Sequence, residues 1–266
     1  MFSFRGPLGL GVAVLAAFAF ILGCDRSPEP PSGATSSATA PDLPREGIGA
    51  QGGTDVTGQP GRSSRQPSDD RPTIVAFGDS LTAGLGVSPE DSYPAQLQRR
   101  LDDAGYRYRV LNAGVSGDTS AGGVRRLEWV LKSHPRIVII EIGGNDGLRG
   151  LDIQQTRANL GEIISRFQAA GVTVVLAGMQ LPPNYGKDYT AQFAALYPEL
   201  ARVHRLTLIP FFLEGVAAHP PLNQADGIHP TEAGYHMIAA TVMKYLSPHV
   251  AADTGGSARL AGRKKH

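Results

Sequence analysis

Past Arg71 the chain falls into short apolar runs that alternate with amphipathic stretches. Thr73-Ile74-Val75-Ala76-Phe77, Tyr108-Arg109-Val110-Leu111, Ile137-Val138-Ile139-Ile140-Glu141-Ile142 and Val172-Thr173-Val174-Val175-Leu176 read as strands, with Leu206-Thr207-Leu208-Ile209 a fifth. Runs of Val and Ile without polar alternation are the pattern of strands covered on both faces. Between them lie helical spacings: Leu97 with Leu101; Val124, Leu127 and Leu131; Leu160, Ile163, Ile164 and Phe167. Ser92, ahead of Pro94, and Asp152 stand where N-caps are expected, and Gly105 and Gly171 where helices stop. This β-α-β-α order predicts a parallel sheet with right-handed crossovers. The expected fold is a three-layer α/β/α domain with about five strands in flavodoxin-like order, from about Pro72 to Val250.

The chain before this domain is of two kinds. Arg5 opens a short basic region, and Leu8 to Leu22 form an apolar run ending in Ile21-Leu22-Gly23-Cys24. That is the layout of a secretory leader, and it is shorter than the ~20 apolar residues of a stable spanning helix. A small residue directly before Cys24 resembles a bacterial lipobox, in which the thiol is acylated and becomes the new N-terminus. Residues 1–23 are therefore expected to be a lipoprotein-type signal peptide and Cys24 a lipidation site. From Asp25 to about Arg71, Pro, Gly, Ser, Thr and Ala dominate. Such a composition buries too little apolar surface to offset its ordering entropy, so a disordered tether over 24–71 is expected. Its r.m.s. reach as a flexible coil is ~35–40 Å. The expected location is the cell envelope, tethered to a membrane and facing the periplasm, with a soluble periplasmic or secreted form as the alternative.

The formal charge of +1 gives no support for nucleic-acid binding, which needs a concentrated excess of Lys and Arg. The basic residues Arg259, Arg263, Lys264 and Lys265 belong to a stretch, 251–266, read as a flexible tail. Cys24 is the only cysteine, so an intrachain disulfide is excluded.

The chemistry lies in four short segments. Gly78-Asp79-Ser80-Leu81 follows the first strand, and Asp226-Gly227-Ile228-His229 stands near the end. A serine hydroxyl is a poor nucleophile at neutral pH and needs an adjacent base, for which His229 is the candidate. Asp226, three residues earlier, can reach one ring nitrogen and fix the tautomer that turns the other towards Ser80. Asp-x-x-His alone also fits a surface contact or part of a metal site. There is no His-Glu-x-x-His and no cysteine cluster, so no metal and no cofactor is expected. Charge developing on an ester oxygen must meet pre-aimed donors, and the candidates are the Ser80 and Gly117 backbone N–H groups and the Asn145 amide. Ser80, Gly117 and Asn145 each follow a predicted strand, so three distant loops converge at the sheet's carboxyl end, where open parallel sheets bind ligands.

Two rival readings can be set against these residues. The Gly-x-Ser-x-Gly elbow is absent, since Thr82 and Asp118 stand where its last glycine would be. A non-enzymatic flavodoxin-like module, cradling phosphate with Ser80, Thr82 and Gly84, leaves Asp226 and His229 unexplained, and Gly84-x-Gly86 lacks a third glycine.

Gly78-Asp79-Ser80-Leu81, Gly117, Gly143-Gly144-Asn145-Asp146 and Asp226-Gly227-Ile228-His229-Pro230 resemble the conserved blocks of the SGNH (GDSL) hydrolases. Within that superfamily the chain is similar, from roughly Thr73 to Pro248, to the bacterial thioesterase I, lysophospholipase and arylesterase subgroup. The resemblance implies a Ser80/His229/Asp226 triad, an oxyanion hole of Ser80, Gly117 and Asn145, and action on acyl or aryl esters, lysophospholipids or acyl thioesters. The superfamily also includes carbohydrate deacetylases. The loop from Gln180 to Asp188 follows a strand and combines Pro182-Pro183 with Gly186, so Leu181, Pro182 and Tyr185 are the expected substrate contacts. The expected partners are a small ester or lipid and, through Cys24, a membrane; no obligate protein partner is expected.

Overall fold

The computed structural model describes residues 69–262. The expectations for the leader, for Cys24 and for most of the tether lie outside the described residues. Within the described residues five strands form one sheet: β1 (Thr73–Gly78), β2 (Arg109–Gly114), β3 (Ile137–Glu141), β4 (Thr173–Ala177) and β5 (Thr207–Ile209). Every pairing is parallel and the order is β2-β1-β3-β4-β5, the flavodoxin-like arrangement. β1 and β3 are buried throughout, as their unbroken apolar sequences require.

Among the described residues seven α-helices connect and cover the strands: α1 (Ser80–Ala83), α2 (Tyr93–Asp103), α3 (Ser120–Leu131), α4 (Gly144–Leu148), α5 (Ile153–Ala169), α6 (Lys187–His204) and α7 (Glu232–Gly262). α2 packs against α7, and α3 against α5, which in turn meets α6. Asp152 caps α5 by accepting from the Gln154 N–H at 2.8 Å. Ser92 precedes α2 but does not cap it, because its hydroxyl donates to the Pro89 carbonyl instead. Gly105 and Gly171 follow α2 and α5 in the left-handed conformation that closes a helix.

α7 runs past Val250, where the domain was expected to end, and the backbone stays helical to Gly262. Ala251-Ala252 are strong helix formers, and a proline at 248 removes only one intrahelical donor from a helix otherwise anchored by buried Tyr235, Ile238, Ala239, Val242 and Leu246. Among the described residues no helix is long and apolar enough to cross a membrane.

Candidate active site

The site is assembled at the carboxyl ends of β1, β3 and the loop before α7. β1 ends in Gly78, and the chain turns at once into α1, whose first residue is Ser80. Asp79 caps this one-turn helix by accepting from the Leu81 N–H at 3.1 Å, and Gly84 closes it at φ +84. Ser80 is thereby held on a tight turn with 8% of its surface exposed.

The opposing loop is a narrow excursion closed by an antiparallel bridge between Asn223 and Pro230. Within it, Asp226 Oδ1 accepts from the Ile228 and His229 N–H groups at 2.9 and 3.0 Å, and Gly227 takes φ +70. The other oxygen, Oδ2, lies 2.6 Å from His229 Nδ1. His229 Nε2 is in turn 2.9 Å from Ser80 Oγ. The bond to the His229 ring, with the two backbone donors, holds the Asp226 carboxyl down at about 2. Asp226 therefore stays ionised at neutral pH and selects the tautomer with hydrogen on Nδ1, leaving Nε2 to accept from Ser80.

Asn145 is the second residue of α4. Gly143 enters that helix at φ +111, and a Cβ there would stand 2.6 Å from Tyr197 Oη. The Asn145 amide donates to Asp79 Oδ2 at 3.0 Å, which leaves its second N–H free to serve the cleft. Burial pushes the Asp79 carboxyl up to about 6, against the Leu81 and Asn145 hydrogen bonds. Gly117 lies in the loop after β2 at φ +78, and its carbonyl accepts from Arg149 Nη2 at 2.9 Å. It is not among the residues that line the cleft.

The rest of the segment around Gly117 is structural. Asp118 pairs with Arg126 Nε at 2.7 Å, Thr119 caps α3, and Ser120 donates to buried Asp146 at 2.5 Å. Arg126 also donates to the Ala113 and Gly78 carbonyls, so it fastens the ends of β2 and β1 together beside the site.

A cleft of about 510 Å³ opens beside Ser80, Asn145 and His229. Its walls are chiefly apolar, including Leu148, Met179, Leu181, Pro182, Phe211 and Ile228. Leu181 and Pro182, from the loop after β4, are part of that wall. Tyr185 does not line the cleft: a 3-10 turn over Pro183–Tyr185 carries it off the wall, and its hydroxyl donates to the Leu148 carbonyl at 3.1 Å, strapping the loop to α4.

Sequence reasoning missed the walls from Phe211, Leu213 and Ile228, and it missed Gln224. Gln224 Nε2 donates to the Leu85 and Pro230 carbonyls at 2.7 and 2.9 Å, tying the histidine loop to the serine turn. Gly86 leaves room for that side chain, since a Cβ there would be 2.1 Å from Gln224 Oε1. Gly84 and Gly86 are accounted for by a helix end and a close approach. Among the described residues no group of three or more His, Cys, Asp or Glu side chains is placed to hold a metal ion.

A hydroxyl, an imidazole and a carboxylate in hydrogen-bonded series at the carboxyl end of a parallel sheet are the parts of a serine hydrolase. The comparisons with known proteins make the class particular. The chain belongs to the GDSL-like lipase/acylhydrolase family, whose profile matches residues 76–237. It is 46% identical over 177 residues to the esterase TesA of Pseudomonas aeruginosa, an alignment covering 66% of this chain and 88% of that protein. It is 42% identical over 183 residues to thioesterase 1/protease 1/lysophospholipase L1 of Escherichia coli, covering 68% of this chain and 86% of that protein. A crystal structure of TesA superposes with a TM-score of 0.64 at 46% identity, covering 66% of this chain and 98% of that one.

Proposed function

We propose that this acylhydrolase is a serine esterase acting through an acyl-enzyme, with Ser80 as nucleophile, His229 as general base and Asp226 as the carboxylate that orients it. The observation carrying this reading is the unbroken series Asp226 Oδ2 to His229 Nδ1 at 2.6 Å and His229 Nε2 to Ser80 Oγ at 2.9 Å. Ser80 Oγ attacks the ester carbonyl as its proton passes to Nε2, and Asp226 stabilises the imidazolium. The oxyanion takes hydrogen bonds from the Ser80 N–H and the Asn145 amide, both on the cleft wall, with the Gly117 N–H the third donor that the family resemblance implies. Collapse expels the alcohol, which takes the proton from His229, and water repeats the sequence on the acyl-enzyme.

The apolar cleft supports carboxylic esters with an extended acyl or aryl group, and by the same chemistry lysophospholipids and acyl thioesters. It is larger and more apolar than an acetyl group requires, which argues against carbohydrate deacetylation. The test is a series of p-nitrophenyl esters of increasing acyl length, run beside an acyl thioester and a lysophospholipid. Each methylene buried in the cleft adds ~0.8 kcal/mol, so kcat/KM should rise about fourfold per methylene until the cleft is full. Turnover of acetyl esters alone, or of none, would overturn the assignment.

The cell-envelope location belongs to the same proposal and rests on sequence alone: the apolar run Leu8 to Leu22 before Gly23-Cys24 supports an acylated Cys24 as the membrane anchor.

A further inference from the structure

Glu141, the last residue of β3, is fully buried. Its register partner on β1 is Gly78, immediately before the nucleophile turn. The pairing is one of space: a Cβ on residue 78 would stand 2.0 Å from Thr82 Oγ1 and 2.5 Å from Glu141 Oε2. The Glu141 carboxyl therefore fills the volume that a side chain at 78 would take, directly beneath the turn. Oε2 accepts from the Thr82 hydroxyl at 2.7 Å, and Thr82 is itself fully buried. Gly78 and Thr82, the two residues this carboxyl lies against, stand two positions before and two after Ser80, so it meets the turn on both sides of the serine.

The surroundings make this placement costly. Oε1 has no hydrogen-bond partner among the described residues, nor do the hydroxyls of Tyr93 from α2 and Tyr235 from α7. Burial, and then the charge of Asp79, push the Glu141 carboxyl well above the ordinary carboxylate range. Burial, and then the nearby carboxylate of Glu141, push both tyrosines up as well. A buried carboxyl with incomplete hydrogen bonding is destabilising, and an apolar side chain of similar volume avoids that cost. Packing does not account for Glu141, whereas its bond to the turn does.

We propose that Glu141 is a positioning residue for the nucleophile: through Thr82 it fixes the turn on which Ser80 stands, and with it the line from Ser80 Oγ to His229 and the oxyanion donors. The proposal rests on Ser80 being the nucleophile. Thr82 is its mechanical link.

The test compares Glu141→Leu, Glu141→Gln, Thr82→Val and the double variant Glu141→Leu/Thr82→Val on one p-nitrophenyl ester. Thermal midpoints and the end-point stoichiometry of fluorophosphonate labelling are measured on the same samples. Displacing a reacting atom by a fraction of an ångström to 1 Å costs up to ~100-fold, so Glu141→Leu and Thr82→Val should each lower kcat by about 10- to 100-fold with KM nearly unchanged. Glu141→Gln keeps the shape and an acceptor for Thr82, and should retain kcat to within about threefold. The double variant should be no slower than the slower single variant, since both changes break one bond. Every folded variant should still take one label per chain, more slowly. A merely structural Glu141 would shift the thermal midpoint and leave kcat of the folded protein untouched. Wild-type kcat in Thr82→Val, or losses that multiply in the double variant, would overturn the proposal, and Thr82→Val with Glu141→Gln decide it even where Glu141→Leu does not fold. Absence of label on the wild type would instead remove Ser80 as nucleophile, and this proposal with it.

Discussion

Asp79 and Asn145 share one hydrogen bond, 3.0 Å long, and each is placed by it. The bond occupies one N–H of the amide and aims the other, so Asn145 is expected to stabilise charge that exists only in the transition state. Asn145→Ala should lower kcat about 100- to 1,000-fold with little change in KM. Unaltered turnover with a raised KM would make it a substrate-holding group instead. Asp79 carries a different consequence. Its folded-state carboxyl is raised from 3.8 to about 6 by burial. The unfolded chain ionises Asp79 first as pH rises, so stability falls across that window, and the penalty is complete above about 6. Asp79→Asn removes the titrating group. Urea unfolding between pH 4 and pH 7 should therefore show the variant gaining on the wild type as pH rises, and parallel curves would contradict this assignment.

At the scale of elements, α4 shows how little freedom the site leaves its scaffold. Gly143 must take φ +111 so that the chain can leave β3 and present Asn145 two residues later, with Tyr197 Oη already occupying the volume of a Cβ. Gly143→Ala is expected to cost about 1–3 kcal/mol in urea unfolding and to lower kcat as α4 shifts; a variant as stable and active as the wild type would show that α4 tolerates another entry angle. The sheet was legible in the sequence because strands covered on both faces must be apolar at successive positions, as in Ile74–Phe77 and Ile137–Ile140. The end of β2 was not, since this edge strand continues through polar Asn112 and two small residues to Gly114. α6 contains Pro198, which reads as a stop, although Phe193, Leu196, Tyr197 and Leu200 keep helical spacing around it. α1 and α4 are too short to show a period. The reacting groups could be found because each ends a strand or lies in one compact turn. Gln224 and Glu141 could not, because their partners lie 139 and 59 residues away in sequence and only the fold brings them together.

Taken whole, the chain carries an α/β/α hydrolase domain after a long N-terminal region, for which the proposal is membrane anchoring through Cys24. Mass spectrometry of the mature N-terminus should find an acylated Cys24, and Cys24→Ser should leave the leader uncleaved at that site; an N-terminus without lipid would remove the anchor and leave the catalytic reading intact. A protein beginning near Pro72 should fold and hydrolyse esters, since the described core is drawn from Ile74 to Val250. The central claim is that Ser80 forms the acyl-enzyme, and one measurement addresses it most directly: intact-mass and peptide analysis of wild type and Ser80→Ala after fluorophosphonate treatment, with kcat measured on the same samples. The account predicts one phosphonyl group on Ser80, none on the folded alanine variant, and a loss of turnover of about 10⁴-fold or more. A folded Ser80→Ala protein that keeps wild-type turnover, or a label carried by another residue, would contradict it.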